Sequence, residues 1–275
     1  MSGSGASVGE LFDAVAGEYD HAGTEYFAPM GRRLVDLSGV TVADRVLDVG
    51  TGRGAVLVPA AAAVGPSGSV LGVDLSRRMA LMTAADLRRL EAPVRAAVVV
   101  GDAARPPVAG PFDAVLGGMV AQFLPAPERA LRSWAALVRP GGRLVLSWWA
   151  GEDPRYAHLG GIVARHVPTD QRQPAPRPFS GDVVATDALV AANGWTDVAT
   201  VVERQRVVFA DRTAWWRWSW SHGQRRQWQA VTDFRALERE VNAELARLAE
   251  PDGRLLYRPL AAFTLARTSD GSVRE

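Results

Sequence analysis

Between Arg45 and Val64 a short apolar run, RVLDV, breaks into a glycine turn, GTGRG, and then into the Ala-rich stretch Ala55 to Val64. This succession of strand, glycine turn and helix constrains the fold most, because it recurs down the chain. Val70 to Val73 ends at Asp74 and leads into a helical pattern from Met79 to Leu90, and Val94 to Val100 ends at Gly101 and Asp102. Phe112 to Leu116 precedes a helical pattern over Pro127 to Leu137, and Arg143 to Trp149 follows the turn Pro140-Gly141-Gly142. Strands alternating with helices build a parallel sheet covered on both faces, and nearly unbroken apolar strands fit burial on both sides. The expected class is α/β, doubly wound, with its ligand at the carboxyl ends of the strands where the strand order reverses.

Around that core, Leu11, Phe12, Val15 and Tyr19 recur at helical spacing after a Gly/Ser-rich start, and Met30, Leu34 and Leu37 do so within Pro29 to Leu37. Beyond Ala150 the pattern is less regular. Gln171 to Ser180, QRQPAPRPFS, reads as an extended connector. Asp187 to Asn193 reads as a helix stopped by Gly194, and Val198 to Phe209 as one long, half-exposed strand. A Trp-rich segment from Ala214 to Gly223 opens an insertion that continues in a helix from Asp233 to Ala249, and Pro259 to Ala266 supplies the last strand. The expected layout is cap helices over 1–39, a core over 40–210, a helical Trp-rich insertion over 211–257, a last core strand over 258–267 and a tail over 268–275.

Composition removes several chemistries. There is no cysteine, and all 31 basic residues are arginine, so disulfides, thiolate ligands, cysteine nucleophiles and lysine Schiff bases are excluded. A net charge of +1 with interspersed signs marks no polyanion-binding face, so no nucleic acid partner is expected. No apolar run reaches membrane-spanning length and the N-terminus lacks a basic then apolar leader, so a cytoplasmic protein without membrane association is expected. The oligomeric state, a homodimer included, stays open. His21, His158 and His166 lack ligand-like spacing with carboxylates, so no metal is expected. Walker and H-E-x-x-H motifs are absent.

The glycine turn carries the chemistry. Gly50, Gly52 and Gly54 permit positive φ and let a ligand approach bare backbone at Thr51, while the following helix presents unpaired N–H groups. Dinucleotide enzymes use G-x-G-x-x-G, with a pyrophosphate on the helix N-terminus. Here the spacing is G-x-G-x-G, and Asp48 stands two residues before it, where it would repel a pyrophosphate but accept from a cationic amino-acid group. Asp74 closes the second strand, placed to accept from both hydroxyls of a ribose. Asp102, after the third strand, is placed for an adenine amino group, with Ala103 offering a backbone donor.

In order, VLDVGTGRG, VLGVDLS, GDAARPP, FDAVLGGMVAQFLP and LVRPGGRLVLSWW resemble the motifs of class I S-adenosylmethionine-dependent methyltransferases over Val46 to Trp149, and AANGW continues the likeness at Ala191 to Trp195. The resemblance implies a Rossmann-like, seven-stranded, mostly parallel sheet with an antiparallel last strand, and S-adenosyl-L-methionine as cofactor. It implies that Leu75 and Met79 pack on the adenine and that Gly118 and Met119 face the sulfonium. Through FDAVAGEYD it implies that Tyr19 closes over the cofactor, supported by Phe12; for Tyr19 a core-packing role competes.

The acceptor expected from this likeness is a small, largely apolar metabolite, methylated on carbon or oxygen rather than nitrogen, with Tyr26, Trp215 and Trp218 assigned to it. Trp215, Trp216, Trp218 and Trp220 suggest an aromatic cage, but on a helix Trp216 and Trp220 share one face and Trp215, Trp218 and His222 another, so packing of the insertion competes with the cage. His222 is the expected catalytic residue, taking a proton as the methyl arrives, against a plain helix-terminal histidine. Methyl transfer needs alignment more than a strong base. A cyclase or rearrangement enzyme that binds the same cofactor, and a binding-only regulatory domain, are the rival readings.

Overall fold

The computed structural model describes residues 7–20, 23–89, 95–169 and 178–270. His21 and the expected Pro-rich connector up to residue 177 lie outside them. The strands are β1 (Arg45–Val49), β2 (Ser69–Asp74), β3 (Ala96–Val100), β4 (Phe112–Gly118), β5 (Val138–Gly151), β6 (Thr196–Arg204), β7 (Val207–Phe209), β8 (Leu255–Tyr257) and β9 (Leu260–Arg267). Seven of them form one sheet in the order β3-β2-β1-β4-β5-β9-β6, while β7 and β8 pair separately. The inner pairs are parallel, and β9 runs antiparallel to both β5 and β6. The order therefore reverses between β1 and β4, beside the glycine turn.

Period-two alternation places successive side chains on opposite faces. Val46, Ala114, Leu116, Val145, Ala261 and Phe263 enter one core, and Leu47, Val115, Leu144, Leu146 and Ala262 the other. The helices are α1 (Val8–Val15), α2 (Phe27–Ser38), α3 (Leu57–Val64), α4 (Arg77–Leu87), α5 (Pro127–Leu137), α6 (Ala157–His166), α7 (Val183–Ala191), α8 (Arg212–Trp220), α9 (Arg225–Ala230) and α10 (Phe234–Leu248). The first core is covered by α2 and α3 and, toward the cap, by α6, α8 and α10; the second is covered by α5 and α7.

Several local expectations shift. The strand expected over Val198 to Phe209 is two: β6 stays on β9 until Arg204 meets Leu260, the Gln205 N–H donates to the Pro259 carbonyl at 2.8 Å, and β7 turns away to pair with β8. Pro259 has no N–H with which to extend the ladder. Helix α7 starts earlier than expected because the Asp182 side chain caps it, accepting from the Ala185 N–H. Tyr19 lies beyond the end of α1, in the turn that follows. Helix α6 had no expectation: Gly160 and Gly161 interrupt its pattern, although Leu159 and Ile162 are buried.

Candidate active site

The turn after β1 is held against β2 by its own backbone. The N–H groups of Gly50 and Thr51 donate to the Val73 carbonyl at 2.8 and 3.0 Å, and the Gly52 N–H donates to Asp74 Oδ2 at 2.7 Å. Gly50 has φ +70°, and a Cβ there would lie 2.4 Å from the Val120 side chain, so no larger residue fits without strain. Helix α2 approaches the turn so closely that a Cβ on Gly31 would lie 2.0 Å from the Ala55 carbonyl oxygen.

A cavity opens at this point, lined by the turn, by Asp48, Gly118, Met119 and Ser147 from the strand ends, and by Tyr19, Phe27 and Met30 from the N-terminal segment. Asp48 is wholly buried; its Oδ2 accepts from the Thr51 hydroxyl at 2.7 Å, and its Oδ1 has no partner. Burial pushes this carboxyl up to about 7, against the lowering effect of the Thr51 hydroxyl. An ammonium group would satisfy the orphaned oxygen and restore its charge, so the donor set fits the amino-acid end of S-adenosylmethionine. Met119 has φ +52°, fixed by its N–H donating to the Ser147 carbonyl at 3.0 Å, and this turns the chain after β4 into the cavity wall.

The roof comes from the N-terminal segment. Asp20 accepts from the N–H groups of Tyr26, Phe27 and Ala28, capping α2 from a distance. That bond set lays Tyr19 flat on Phe27, ring centroids 4.8 Å apart, with Phe12 at the edge of Tyr19. Burial, with Asp20 and Asp74 nearby, holds the Tyr19 phenol protonated. Arg53, in the glycine turn itself, donates to the Ala16 carbonyl at 2.8 Å and so ties the turn to the end of α1.

The residues expected at the nucleoside end stand apart from this cavity, as does Gly54. Asp74 is buried, and its Oδ1 accepts from the Ser76 N–H at 2.8 Å, while burial pushes its carboxyl up. Leu75 is half-exposed, and Asp102 is exposed, its Oδ1 accepting from the Ala104 N–H at 2.8 Å. Ala103 is buried, with its carbonyl taken by the Trp134 indole N–H at 2.7 Å. For Met79 the expectation needs correction: it is buried beneath α1 with Val15 and Ala16, and presents no open face to a ligand. Its long apolar side chain fills the seam between α1 and α4.

The expected acceptor side is made of rings. Tyr26 packs against Trp149 at 5.4 Å and Trp218 at 4.8 Å, and lies parallel to His222 at 6.1 Å. The helical-face reading of α8 holds in its contacts: Trp216 and Trp220 both meet Phe234, whereas Trp218 meets His222 at 4.5 Å. Trp215 is used in packing the cap, against Trp216 and Trp228, and no cage of tryptophans is assembled. His222 is buried without a carboxylate partner, and desolvation pushes it down to about 3. Burial therefore favours the neutral imidazole.

Phe27, Met30, Arg53 and Ser147 were not singled out from sequence. The glycine inside an otherwise helical pattern at Gly31 was the one available signal that α2 touches the turn. Ser147 had none, since it sits within an apolar strand.

A family model described as a methyltransferase domain matches residues 46–142. Over 256 residues the chain is 35% identical to nocamycin O-methyltransferase from Saccharothrix syringae, covering 86% of this chain and 89% of that one. Over 145 residues it is 41% identical to aklanonic acid methyltransferase DauC from Streptomyces sp. (strain C5), covering 51% of this chain and 64% of the relative. The fold is similar to that of phosphoethanolamine N-methyltransferase 2 from Haemonchus contortus, with TM-score 0.60 and 15% identity over 96% of this chain and 61% of that one.

Proposed function

Because the chain belongs to the class I S-adenosylmethionine-dependent methyltransferases, we propose that it methylates an oxygen of a small, largely apolar secondary metabolite held between the strand ends and the cap. The observation that carries this reading is the unpartnered Asp48 Oδ1 in a cavity lined by Phe27, whose ring packs against Tyr26 and through it the rings of Trp149 and Trp218. The names of the two antibiotic-pathway relatives, one an O-methyltransferase, support the metabolite class and the oxygen.

When bound, the cofactor supplies an electrophilic methyl on a sulfonium. Asp48 holds the ammonium end, and the bare backbone at Gly50 and Gly52 admits the amino-acid chain. Asp74 accepts from the ribose hydroxyls, while Asp102 and Ala103 receive the adenine edge on the open side, with Leu75 beneath it. Gly118 and Met119 set the depth at which the reacting end stops, and Tyr19 on Phe27 excludes water from above. Tyr26 and Trp218 confront the acceptor; Trp215 supports them from behind. Alignment of the acceptor oxygen is the main contribution of these walls.

Incubation with methyl-labelled cofactor and a panel of phenolic and enolic metabolites tests the reading. Label in an O-methyl group of the product is the expected result. Product formed without label, or tighter calorimetric binding of NAD than of S-adenosylhomocysteine, overturns it.

A further inference from the structure

Buried donors without partners are rare in folded proteins, since each gives up its bond to water and gains none in return. The acceptor side of this molecule has two, side by side. His222 is only 8% exposed, and its Nδ1 accepts from the Gln224 N–H at 3.4 Å, which places the ring proton on Nε2. That Nε2 is buried with no partner among the described residues. The Nε1–H of Trp218, whose ring centroid is 4.5 Å from the imidazole, is also buried and unpaired.

This is not a general property of the molecule's tryptophans. The indole N–H groups of Trp134, Trp148, Trp195, Trp216 and Trp228 all donate, to Ala103, Thr264, Leu131, Asn242 and Ser219. The two idle donors pack against the rings of Tyr26, Phe27, Phe209 and Tyr257, and the Tyr257 hydroxyl of that cluster donates to Glu152 Oε2 at 2.7 Å. Phe27 also lines the cofactor cavity, so the pair lies just across that ring from the glycine turn. At the same junction, where a Cβ on Gly223 would lie 3.4 Å from the Phe123 ring, Gln122 and Gln224 each bury an unpaired side-chain oxygen.

We infer that Nε2–H of His222 and Nε1–H of Trp218 form a two-donor site for an anionic oxygen of the acceptor, a phenolate or an enolate. The inference rests on the methyltransferase reading and sharpens its substrate class: an acidic hydroxyl compound bound already ionised. His222 then donates a hydrogen bond and takes no proton. The absence of a carboxylate beside the imidazole has the same consequence, because a carboxylate would compete for the Nε2 proton.

The test is equilibrium titration of the full chain, with S-adenosylhomocysteine present, using 4-nitrophenol at mildly alkaline pH, where it is ionised, against its neutral methyl ether, 4-nitroanisole. The phenolate is expected to bind about tenfold more tightly than the anisole, and H222F or W218F to remove most of that preference while leaving S-adenosylhomocysteine affinity unchanged. H222N, which keeps an N–H donor, is expected to recover part of it. Should the phenylalanine variants fail to fold, nitrogen NMR of the wild type with labelled histidine decides: a neutral Nε2–H tautomer whose nitrogen shifts on phenolate addition is expected. Equal binding of the two probes, no phenolate binding, or an Nδ1–H tautomer overturns the oxygen site. Loss of S-adenosylhomocysteine binding by the wild type would instead strike the methyltransferase reading.

Discussion

Phe27 lines the cavity at the glycine turn and meets His222 of the Trp-rich cap, and the two regions it joins are built on opposite principles. In the turn, backbone N–H groups find partners a few residues away or on the adjacent strand, through Val73 and Asp74, and one carboxylate oxygen is left for a ligand. In the cap, rings from α2, β5, β7, α8 and β8 converge from distant parts of the chain, and the polar atoms left over include the donors of Trp218 and His222. The first region can be specified locally; the second exists only after the chain has folded.

The sharpest separation of the two regions comes from Trp215. Trp215→Ala should cost about 3–5 kcal/mol of stability through the buried volume it removes, with S-adenosylhomocysteine affinity unchanged at temperatures where the variant is folded. Chemical denaturation and calorimetry on one preparation check both halves, and a matching loss of cofactor affinity would mean that cap and turn are coupled. Gly50→Ala should do the reverse. Positive φ and the Val120 contact together cost about 2–4 kcal/mol, and that cost should fall on cofactor binding, leaving the fluorescence of the cap tryptophans unaltered.

Asp48→Asn sharpens the electrostatic half. Loss of a charged hydrogen-bond acceptor should weaken cofactor binding by about 2 kcal/mol. Because burial raises the Asp48 carboxyl to about 7 in the folded protein, its protonated form favours the fold. That contribution is fully present below the ordinary carboxylate range and is lost as pH rises through about 7. The ligand-free wild type should therefore lose stability across that interval while its cofactor affinity rises, and the Asn variant should show neither trend and melt higher above neutrality. Thermal melts and titrations across that range decide it. The smallest effect is expected at exposed Asp102: Asp102→Ala should weaken S-adenosylhomocysteine by about 0.5–1.5 kcal/mol, and no change would remove it from the nucleoside end.

Legibility from sequence follows the range of the interactions. The five parallel strands and the α5 and α10 helices were readable because apolar periodicity and capping residues such as Asp233 act within a few positions. The break between β6 and β7 was not, since it depends on Pro259 more than fifty residues away. Met79 was misplaced because a methionine near an expected adenine and a methionine under a helix look the same in one dimension. The role of His222 turned on whether a carboxylate stands beside it in space, which spacing does not encode.

What the sequence determined by itself is the doubly wound sheet and the amino-acid end of the cofactor site. Strand, G-x-G-x-G turn and preceding acid are contiguous, and glycine's backbone freedom is a property of the residue. What the tertiary structure alone decided is the acceptor side. Trp218, His222, Tyr26 and Trp149 meet there by long-range packing, and whether a buried N–H is satisfied or left for a ligand depends on every neighbour that fails to reach it.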